Sequence, residues 1–590
     1  MSVVSARKIW KPGDLRLLVV GIVFVLVWAG IGFRLFDLQG NQAVALATVG
    51  FEQRINERAI DPPRGTIFDR DGVELALTID GWDVVVDPMM LADPVAAARV
   101  LAPYADDPFE VLAVDLAEGQ AKESRYAEIA MRIDTTHKGQ IESAVAEYNA
   151  DVTKADRLTG VFYRSQPLRV YPAGSIAAQI IGLTAYDTND GIEGLELTFN
   201  SELKGDEGRL IVERDPQGRV IPQGEVLIEP ATPGSDIVTT IDREIQFAAE
   251  QALRKAIQTT GAKNGTVVVL DPKTGAVLAM ASAPGLDLND RSAVTPDLLR
   301  NRAVADMYEP GSTLKVVTVA AALEEGIVQR DTPIDTPHSL EVGDFTYSDH
   351  GNNPAWMPVS SVVSKSSNIG TINIQRKLGE DLHYDYLTQF GLGRKAGLDV
   401  EGERHGDLPP TSNWTKTSGS SIAIGYAVHT TALQMAALYA SIANNGIWTE
   451  PFLVKEIIQP DGERIVTSPR SRIVLSPETA RTVRTMLGQV IEAGTGTRAA
   501  LTDYTAGGKT GTSDKFDVEL GVYSTDTYAS FIGMAPLEDP KVVVAVVLDT
   551  PRGKLADGTS LSLGGASAAP VFAEVAQNAL HQLGVAPDKE

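Results

Sequence analysis

Residues 309–326 read EPGSTLKVVTVAAALEEG, and this stretch decides the fold of the largest part of the chain. Pro310 and Gly311 interrupt the preceding chain, and the apolar run after Ser312 predicts a buried helix that begins near the serine. The first turn of a helix has free backbone N–H groups, so negative charge is stabilised there. Lys315 follows three residues later, on the same helical face. The stretch predicts a serine nucleophile beside a lysine base, provided that burial or nearby cations lower the pKa of the lysine.

The S-x-x-K pattern alone is weak evidence for a serine nucleophile. Ser5-Ala6-Arg7-Lys8 has the same spacing, in the tail that precedes the first apolar segment. The alternative interpretation of Ser312 is a serine that caps a helix and is followed by a lysine by chance. Ser312 therefore needs support from elsewhere in the chain.

A second polar motif, Ser366-Ser367-Asn368, lies within SVVSKSSNIGT at a predicted break between two helices. The Ser366 hydroxyl is suited to relay a proton to a leaving amine, and the Asn368 amide to hold a peptide carbonyl. The alternative is a polar turn between helices without chemistry.

A third motif, Lys509-Thr510-Gly511-Thr512, predicts an edge strand. Lys509 and the two threonine hydroxyls are suited to bind a terminal carboxylate, and Gly511 to allow a substrate backbone to approach. The N–H group of Thr512 is a candidate for an oxyanion hole. The triplet KTG also occurs at 273–275, in a predicted turn, but that copy precedes Ser312.

The three motifs occur in the order S-x-x-K, S-x-N, K-T-G, with room for helical regions between them. This is the order found in penicillin-recognising serine enzymes. A chance explanation for all three in this order is far weaker than for any one of them.

Near the N-terminus, an uncharged run predicts a membrane-spanning helix. Residues 17–33 read LLVVGIVFVLVWAGIGF and span roughly 26 Å as a helix, and Leu35 and Phe36 extend the run. Basic residues predominate before it, which predicts a cytoplasmic tail at 1–16, an anchor at 17–36 and everything later outside the cytoplasm. The alternative is a cleaved signal peptide with a site at 43–45, but that site lies well beyond the apolar run.

Composition excludes several function classes. The net charge of −25 argues against nucleic acid as a partner, since phosphate binding needs a basic surface. The chain has no cysteine, so disulfides, zinc–thiolate sites and thiol nucleophiles are excluded. The seven histidines are scattered and form no ligand cluster, so we expect no metal site.

The 590 residues predict a multidomain protein, because one core of ordinary size cannot accommodate them, and the mixture of predicted strands and helices makes it an α/β multidomain protein. The segment EPATPGS, residues 229–235, predicts a linker between a domain at 37–235 and a second at 236–590. In the first domain, Asp71-Gly72 predicts a hairpin turn, and residues 90–155 look helical. The second domain has predicted strands at both ends and helices between, which indicates one antiparallel sheet flanked by helices.

At the three motifs the chain resembles the class B penicillin-binding proteins, and among them the division-type, or FtsI-type, transpeptidases. EPGSTLK and SSNIGT carry this resemblance, because elongation-type relatives more often have another residue in place of Asn368. The resemblance extends to RGTIFDRDG (64–72), RVYPAGS (169–175) and GLELTFNSEL (194–203), which are similar to motifs of that family's pedestal domain. It implies an elongated, non-catalytic α+β pedestal at 37–235 and a penicillin-binding transpeptidase domain at 236–590.

The resemblance implies a D,D-transpeptidase that cross-links peptidoglycan stem peptides during septal cell-wall synthesis. Ser312 would form the acyl-enzyme and release D-alanine, and β-lactams would acylate the same serine. The resemblance implies no metal and no organic cofactor. The implied setting is the inner membrane, with a periplasmic catalytic domain beside an FtsW-type glycosyltransferase and other division proteins. The alternatives are an elongation-type transpeptidase, a D,D-carboxypeptidase or β-lactamase, and a division scaffold with an inactive site.

Overall fold

The computed structural model describes residues 12–44, 55–186, 188–214, 220–351, 353–398, 400–517 and 521–589. These residues form two compact units. One comprises the described residues up to Asp61 together with Asp206–Thr232, and the other comprises Pro62–Gly205 and the chain from Pro233 onward. The predicted domain boundary at 235/236 stays a prediction. The S-x-x-K copy at 5–8 and the basic residues before Pro12 lie outside the described residues.

The regular elements are numbered in chain order. The strands are β1 Ile55–Ile60, β2 Ile67–Phe68, β3 Glu74–Val86, β4 Ala127–Ile133, β5 Val161–Val170, β6 Gly208–Arg214, β7 Val220–Glu229, β8 Asp236–Thr239, β9 Asn264–Leu270, β10 Val277–Ala283, β11 Pro333–Asp335, β12 Ser339–Val342, β13 Phe345–Ser348, β14 Trp356–Pro358, β15 Ile447–Thr449, β16 Val454–Ile458, β17 Arg464–Val466, β18 Ser471–Ile473, β19 Gly507–Asp517, β20 Val522–Ala535 and β21 Val542–Asp549. The helices are α1 Pro12–Phe36, α2 Pro94–Leu101, α3 Phe109–Ala121, α4 Thr135–Asp151, α5 Ala178–Ile181, α6 Gly194–Thr198, α7 Asn200–Lys204, α8 Arg243–Thr260, α9 Pro296–Leu299, α10 Arg302–Ala305, α11 Lys315–Glu324, α12 Val359–Ser364, α13 Asn368–Leu378, α14 Glu380–Gln389, α15 Ser418–Ala423, α16 Ala432–Ala443, α17 Pro477–Ala493 and α18 Gly564–Gln582.

The first unit contains the apolar N-terminal helix and a small sheet. Helix α1 has 25 residues and is about 38 Å long, enough to cross the hydrocarbon core of a bilayer. Its apolar side chains are exposed, and the segment 15–41 is the span that fits a single-pass membrane anchor. Strands β1, β6 and β7 form a three-stranded antiparallel sheet in the same unit.

The N-terminal part of the second unit is built around a mixed sheet with the order β17-β16-β8-β2-β3-β4, in which β5 also pairs with β3. The predicted hairpin at Asp71-Gly72 is confirmed, since β2 and β3 pair across it and Gly72 has a φ of +86°. The prediction of a helical region at 90–155 is only partly correct. Helices α2, α3 and α4 occupy most of it, but β4 lies between α3 and α4. Pairing of β4 with β3 overrides the local helix preference of its AEIAMRI sequence.

A buried charge cluster joins the segments 64–72, 169–175 and 194–203. The Glu196 carboxylate accepts from Arg64 Nε at 2.5 Å and from Arg169 Nε at 2.7 Å, and all three side chains are almost fully buried. Arg169 also donates to the Gly65 carbonyl at 2.8 Å. Opposite charges thus compensate one another away from water and tie distant segments of the chain together.

The predicted antiparallel sheet is confirmed, with the strand order β10-β9-β21-β20-β19. Strands from both ends of the region therefore lie side by side. The central strand β21 is buried along its whole length, and its alternate residues pack into two different cores. Val544 and Val546 pack with α8 and α18, whereas Val543 and Ala545 belong to the other core, on the side of the sheet that α16 covers. The outermost strand β19 carries the third motif.

Candidate active site

Ser312 lies in a single tight turn, Gly311–Thr313, that leads into α11. Gly311 has a φ of +55°, a left-handed conformation that glycine adopts without strain. Helix α11 is buried over most of its length, so the turn is held in place by the packed helix that follows it. Ser312 itself is half-buried. The predicted position of the serine at the start of a buried helix is confirmed.

Lys315 is 2% exposed, and its amine makes its hydrogen bonds to the second motif. The Nζ atom donates to the Ser366 carbonyl at 2.7 Å and to Asn368 Oδ1 at 2.6 Å, and it lies 3.3 Å from Ser366 Oγ. Burial lowers the pKa of Lys315 to about 7, although the Asp349 carboxylate acts in the opposite direction. A lysine with this pKa is partly neutral near pH 7 and can accept a proton.

Ser366 connects two buried lysines. It lies between α12 and α13, as predicted, and has a φ of +60°, an uncommon conformation for a residue other than glycine. Lys509 Nζ donates to Ser366 Oγ at 2.8 Å, on the same hydroxyl that Lys315 approaches. Burial, and secondly the Lys315 amine, hold the pKa of Lys509 well below its usual range. The structure therefore brings residues of all three motifs to one hydroxyl group.

Asp349 is a site residue that the sequence did not reveal. Its carboxylate accepts from the Ser367 hydroxyl at 2.6 Å and from the Ile369 N–H at 3.0 Å, at the start of α13. The neighbouring Ser348 carbonyl accepts from Asn368 Nδ2 at 2.9 Å, which leaves Asn368 Oδ1 pointing to Lys315. Asp349 lies in a polar run after β13 without any motif, so no local pattern marks it.

The third motif lies on the edge strand β19, which confirms that prediction. The Thr510 hydroxyl is 2.7 Å from the Thr495 hydroxyl, and the Thr512 hydroxyl accepts from the Gly564 N–H at 3.1 Å. A Cβ at Gly511 would lie 2.3 Å from Ser530 Oγ and 2.9 Å from the Pro310 carbonyl. Gly511 therefore allows β19 to pack against the serine turn, whereas its predicted role in substrate approach stays a prediction.

The second KTG triplet is separate from this cluster. Lys273 lies in the turn between β9 and β10, is half-exposed and pairs with Asp539 at 3.1 Å. Within the residues that the structure describes, no group of three or more histidine, aspartate or glutamate side chains is placed to hold a metal ion.

Comparisons with known proteins identify two family models in the chain. Residues 265–577 match the family described as the penicillin binding protein transpeptidase domain, and residues 59–239 match the penicillin-binding protein dimerisation domain. The chain is 34% identical to penicillin-binding protein PbpB of Mycolicibacterium smegmatis, over 96% of this chain and 90% of that protein. It is 30% identical to peptidoglycan D,D-transpeptidase FtsI of Escherichia coli, over 92% and 87% of the two chains. Among solved structures, penicillin-binding protein 3 of Mycobacterium tuberculosis complexed with aztreonam is similar with a TM-score of 0.69, 29% identity and coverage of 90% and 98%.

Proposed function

This chain belongs to the class B penicillin-binding proteins, of the FtsI type, and from that premise we propose that it cross-links peptidoglycan stem peptides during septum formation. It is a serine-type D,D-transpeptidase, and β-lactams are its inhibitors. The roles of individual residues below are part of the proposal.

The observation that carries the proposal is the Ser366 hydroxyl, which lies 2.8 Å from the Lys509 amine and 3.3 Å from the Lys315 amine. A lysine that is held neutral by burial has a lone pair, and a hydroxyl between two amines can receive and pass on protons. A serine in a polar turn without chemistry would not need two buried amines nearby, since burying lysines is unfavourable.

In acylation, the Ser312 hydroxyl attacks the carbonyl of the penultimate D-alanine and transfers its proton to the neutral Lys315 amine. The N–H group of Thr512 stabilises the oxyanion of the tetrahedral intermediate. The C–N bond then breaks, the proton passes from Lys315 through the Ser366 hydroxyl to the departing amine, and D-alanine leaves. The acyl-enzyme retains an ester bond to Ser312 Oγ.

Deacylation runs these steps in reverse with a new amine. The amino group of a neighbouring stem peptide attacks the ester, its proton passes through Ser366 to Lys315, and Ser312 regains a proton as it leaves. Asn368 holds the peptide carbonyl of the substrate while it keeps Lys315 in place. A β-lactam follows the first half of this sequence, but its leaving amine stays tethered to the acyl group.

The terminal carboxylate of the substrate binds at Lys509 with the hydroxyls of Thr510 and Thr512, beside Gly511 on the free edge of β19. Burial disfavours the charged Lys509 in the free enzyme. An incoming carboxylate favours the ammonium form, so substrate binding raises the pKa of Lys509.

Helix α1 anchors the enzyme in the inner (cytoplasmic) membrane as a single pass, with the N-terminus in the cytoplasm and the catalytic domain in the periplasm. The basic residues before the helix support this orientation. In that setting the partners are an FtsW-type glycosyltransferase and other division proteins.

Release of D-alanine in the presence of an acceptor amine tests the function. The purified enzyme with a stem-peptide analogue and a D-amino-acid acceptor should form the exchanged peptide, and Ser312→Ala should form none. Hydrolysis of the stem-peptide analogue without exchange would support a carboxypeptidase instead. Hydrolysis of penicillin within seconds would support a β-lactamase. Normal septal cross-linking in cells that carry only Ser312→Ala would support the scaffold alternative.

A further inference from the structure

Glu309 lies three residues before Ser312, and its side chain joins three segments around the serine. The side chain is 6% exposed. Its Oε1 atom accepts from the backbone N–H of Ala427 at 2.7 Å and from the Tyr523 hydroxyl at 3.1 Å. The Glu309 carbonyl accepts from Ser513 Oγ at 2.6 Å, one residue after the third motif. The residue thus contacts the serine turn, the turn after α15 and the hairpin of β19 and β20.

The segment around Ala427 packs closely against the serine turn. The Gly311 N–H donates to the Gly425 carbonyl at 3.0 Å, and a Cβ at Gly425 would lie only 2.0 Å from the Gly311 carbonyl oxygen. Ala427 has a φ of +58°, so a strained residue presents its N–H group to Glu309. The Tyr426 ring packs edge-on against the Tyr523 ring at 5.7 Å.

The second carboxyl oxygen of Glu309, Oε2, is buried and has no hydrogen-bond partner. Burial raises the pKa of Glu309 above its usual range, opposed by the Ala427 N–H, the Tyr523 hydroxyl and His429, and reinforced by Asp514. The side chain therefore acts through one oxygen as a hydrogen-bond acceptor, and no cation pairs with it directly in the described residues. An uncharged amide can take over that acceptor role.

We propose that Glu309 is a positioning residue for the nucleophile: its Oε1 atom fixes the serine turn to the Ala427 turn and to β20, so that Ser312 Oγ is aimed at the bound carbonyl. The proposal rests on the role of Ser312 as nucleophile. Glu309 does not touch the substrate and transfers no proton. Its contribution is to orientation, and misorientation of a nucleophile lowers the chemical rate while binding of the acyl donor stays the same.

The test separates the acylation rate constant, k2, from the dissociation constant of the non-covalent complex, Ks, with a fluorescent penicillin in stopped flow. For Glu309→Ala we expect k2 to fall about tenfold with Ks within about twofold of wild type, because the hydrogen bonds from the Ala427 N–H and the Tyr523 hydroxyl are lost. Glu309→Gln should restore most of k2, and Tyr523→Phe should lower k2 about threefold. Glu147→Ala, the same change on the exposed face of α4, is the matched control.

Any of three results would overturn the proposal. These are a wild-type k2 in Glu309→Ala, a weaker non-covalent complex (a higher Ks) in that variant, and a k2 in Glu309→Gln as low as in Glu309→Ala. If Glu309→Ala does not fold, Tyr523→Phe decides, and an unchanged k2 in that variant counts against it. The failure of this inference is distinguishable from failure of the proposed function. If only this inference fails, the wild-type enzyme is acylated at Ser312 and the Glu309 variants are acylated at the same rate. If the proposed function fails, the wild-type enzyme is not acylated at all, and the inference fails with it.

Discussion

The lowered pKa of Lys315 predicts how acylation depends on pH. In the proposed mechanism a neutral Lys315 accepts the proton of Ser312, so the acylation rate constant should follow the neutral fraction of its amine. With a pKa of about 7, this fraction is about one half at pH 7 and about one hundredth at pH 5. The rate constant should therefore fall about fiftyfold between these values and reach a plateau above about pH 8.

An ordinary lysine predicts a different profile. With the usual pKa near 10.4, only about one amine in a few thousand would be neutral at pH 7, and the rate would rise about tenfold per pH unit up to about pH 10. The position of the plateau thus separates a buried base from an exposed one. The sign is fixed by burial, which disfavours the charged form of an amine.

The assay is single-turnover acylation by a fluorescent penicillin between pH 5 and pH 10, with tryptophan fluorescence as a check that the protein stays folded. Lys273→Ala removes an exposed lysine that lies in the second KTG triplet and should leave the profile unchanged. A midpoint near pH 10, or a rate that does not depend on pH between 5 and 8, would refute Lys315 as the base. Because Lys315 and Lys509 meet at Ser366, the midpoint describes the pair of amines.

Three further predictions concern the active site and the buried charge cluster around Glu196. Asp349→Asn should move the midpoint of the acylation profile to lower pH, because the carboxylate raises the pKa of Lys315; a midpoint that stays in place or rises would contradict this effect. Lys315→Arg should abolish acylation, since arginine stays protonated, and a folded variant that still acylates in a gel-labelling assay would exclude the lysine as base. Glu196→Gln should lower the free energy of unfolding by about 3–5 kcal/mol in urea titrations, because it leaves two buried arginines without a counter-charge. Glu118→Gln, which breaks an exposed pair, is the control for that variant and should produce no measurable change.

Much of the fold follows from local sequence patterns. The β9–β10 hairpin, the helix after Ser312 and the edge strand at Lys509 each depend on turn residues and apolar periodicity within about twenty positions. Strand β4 was missed because its residues favour a helix, and only pairing with β3 makes it a strand. Local preference and long-range pairing conflict there, and long-range pairing prevails.

The site was predictable as a set of motifs but not as a set of contacts. The order of the motifs indicated that Ser312, Ser366 and Lys509 act together. It could not indicate that Lys315 donates to Ser366 and Asn368, because this depends on the positive φ of Ser366 and on how α12 and α13 pack. Asp349 and Glu309 could not be predicted for the same reason: their hydrogen-bond partners are distant in sequence, and no local spacing marks such residues.

The central claim is that Ser312 forms the acyl-enzyme, and mass spectrometry after penicillin treatment tests it most directly. The intact protein should gain the mass of one penicillin, and peptide mapping should place the adduct on Ser312, with no adduct on Ser312→Ala. An adduct on another residue, or an unmodified protein after prolonged treatment with excess penicillin, would contradict the account.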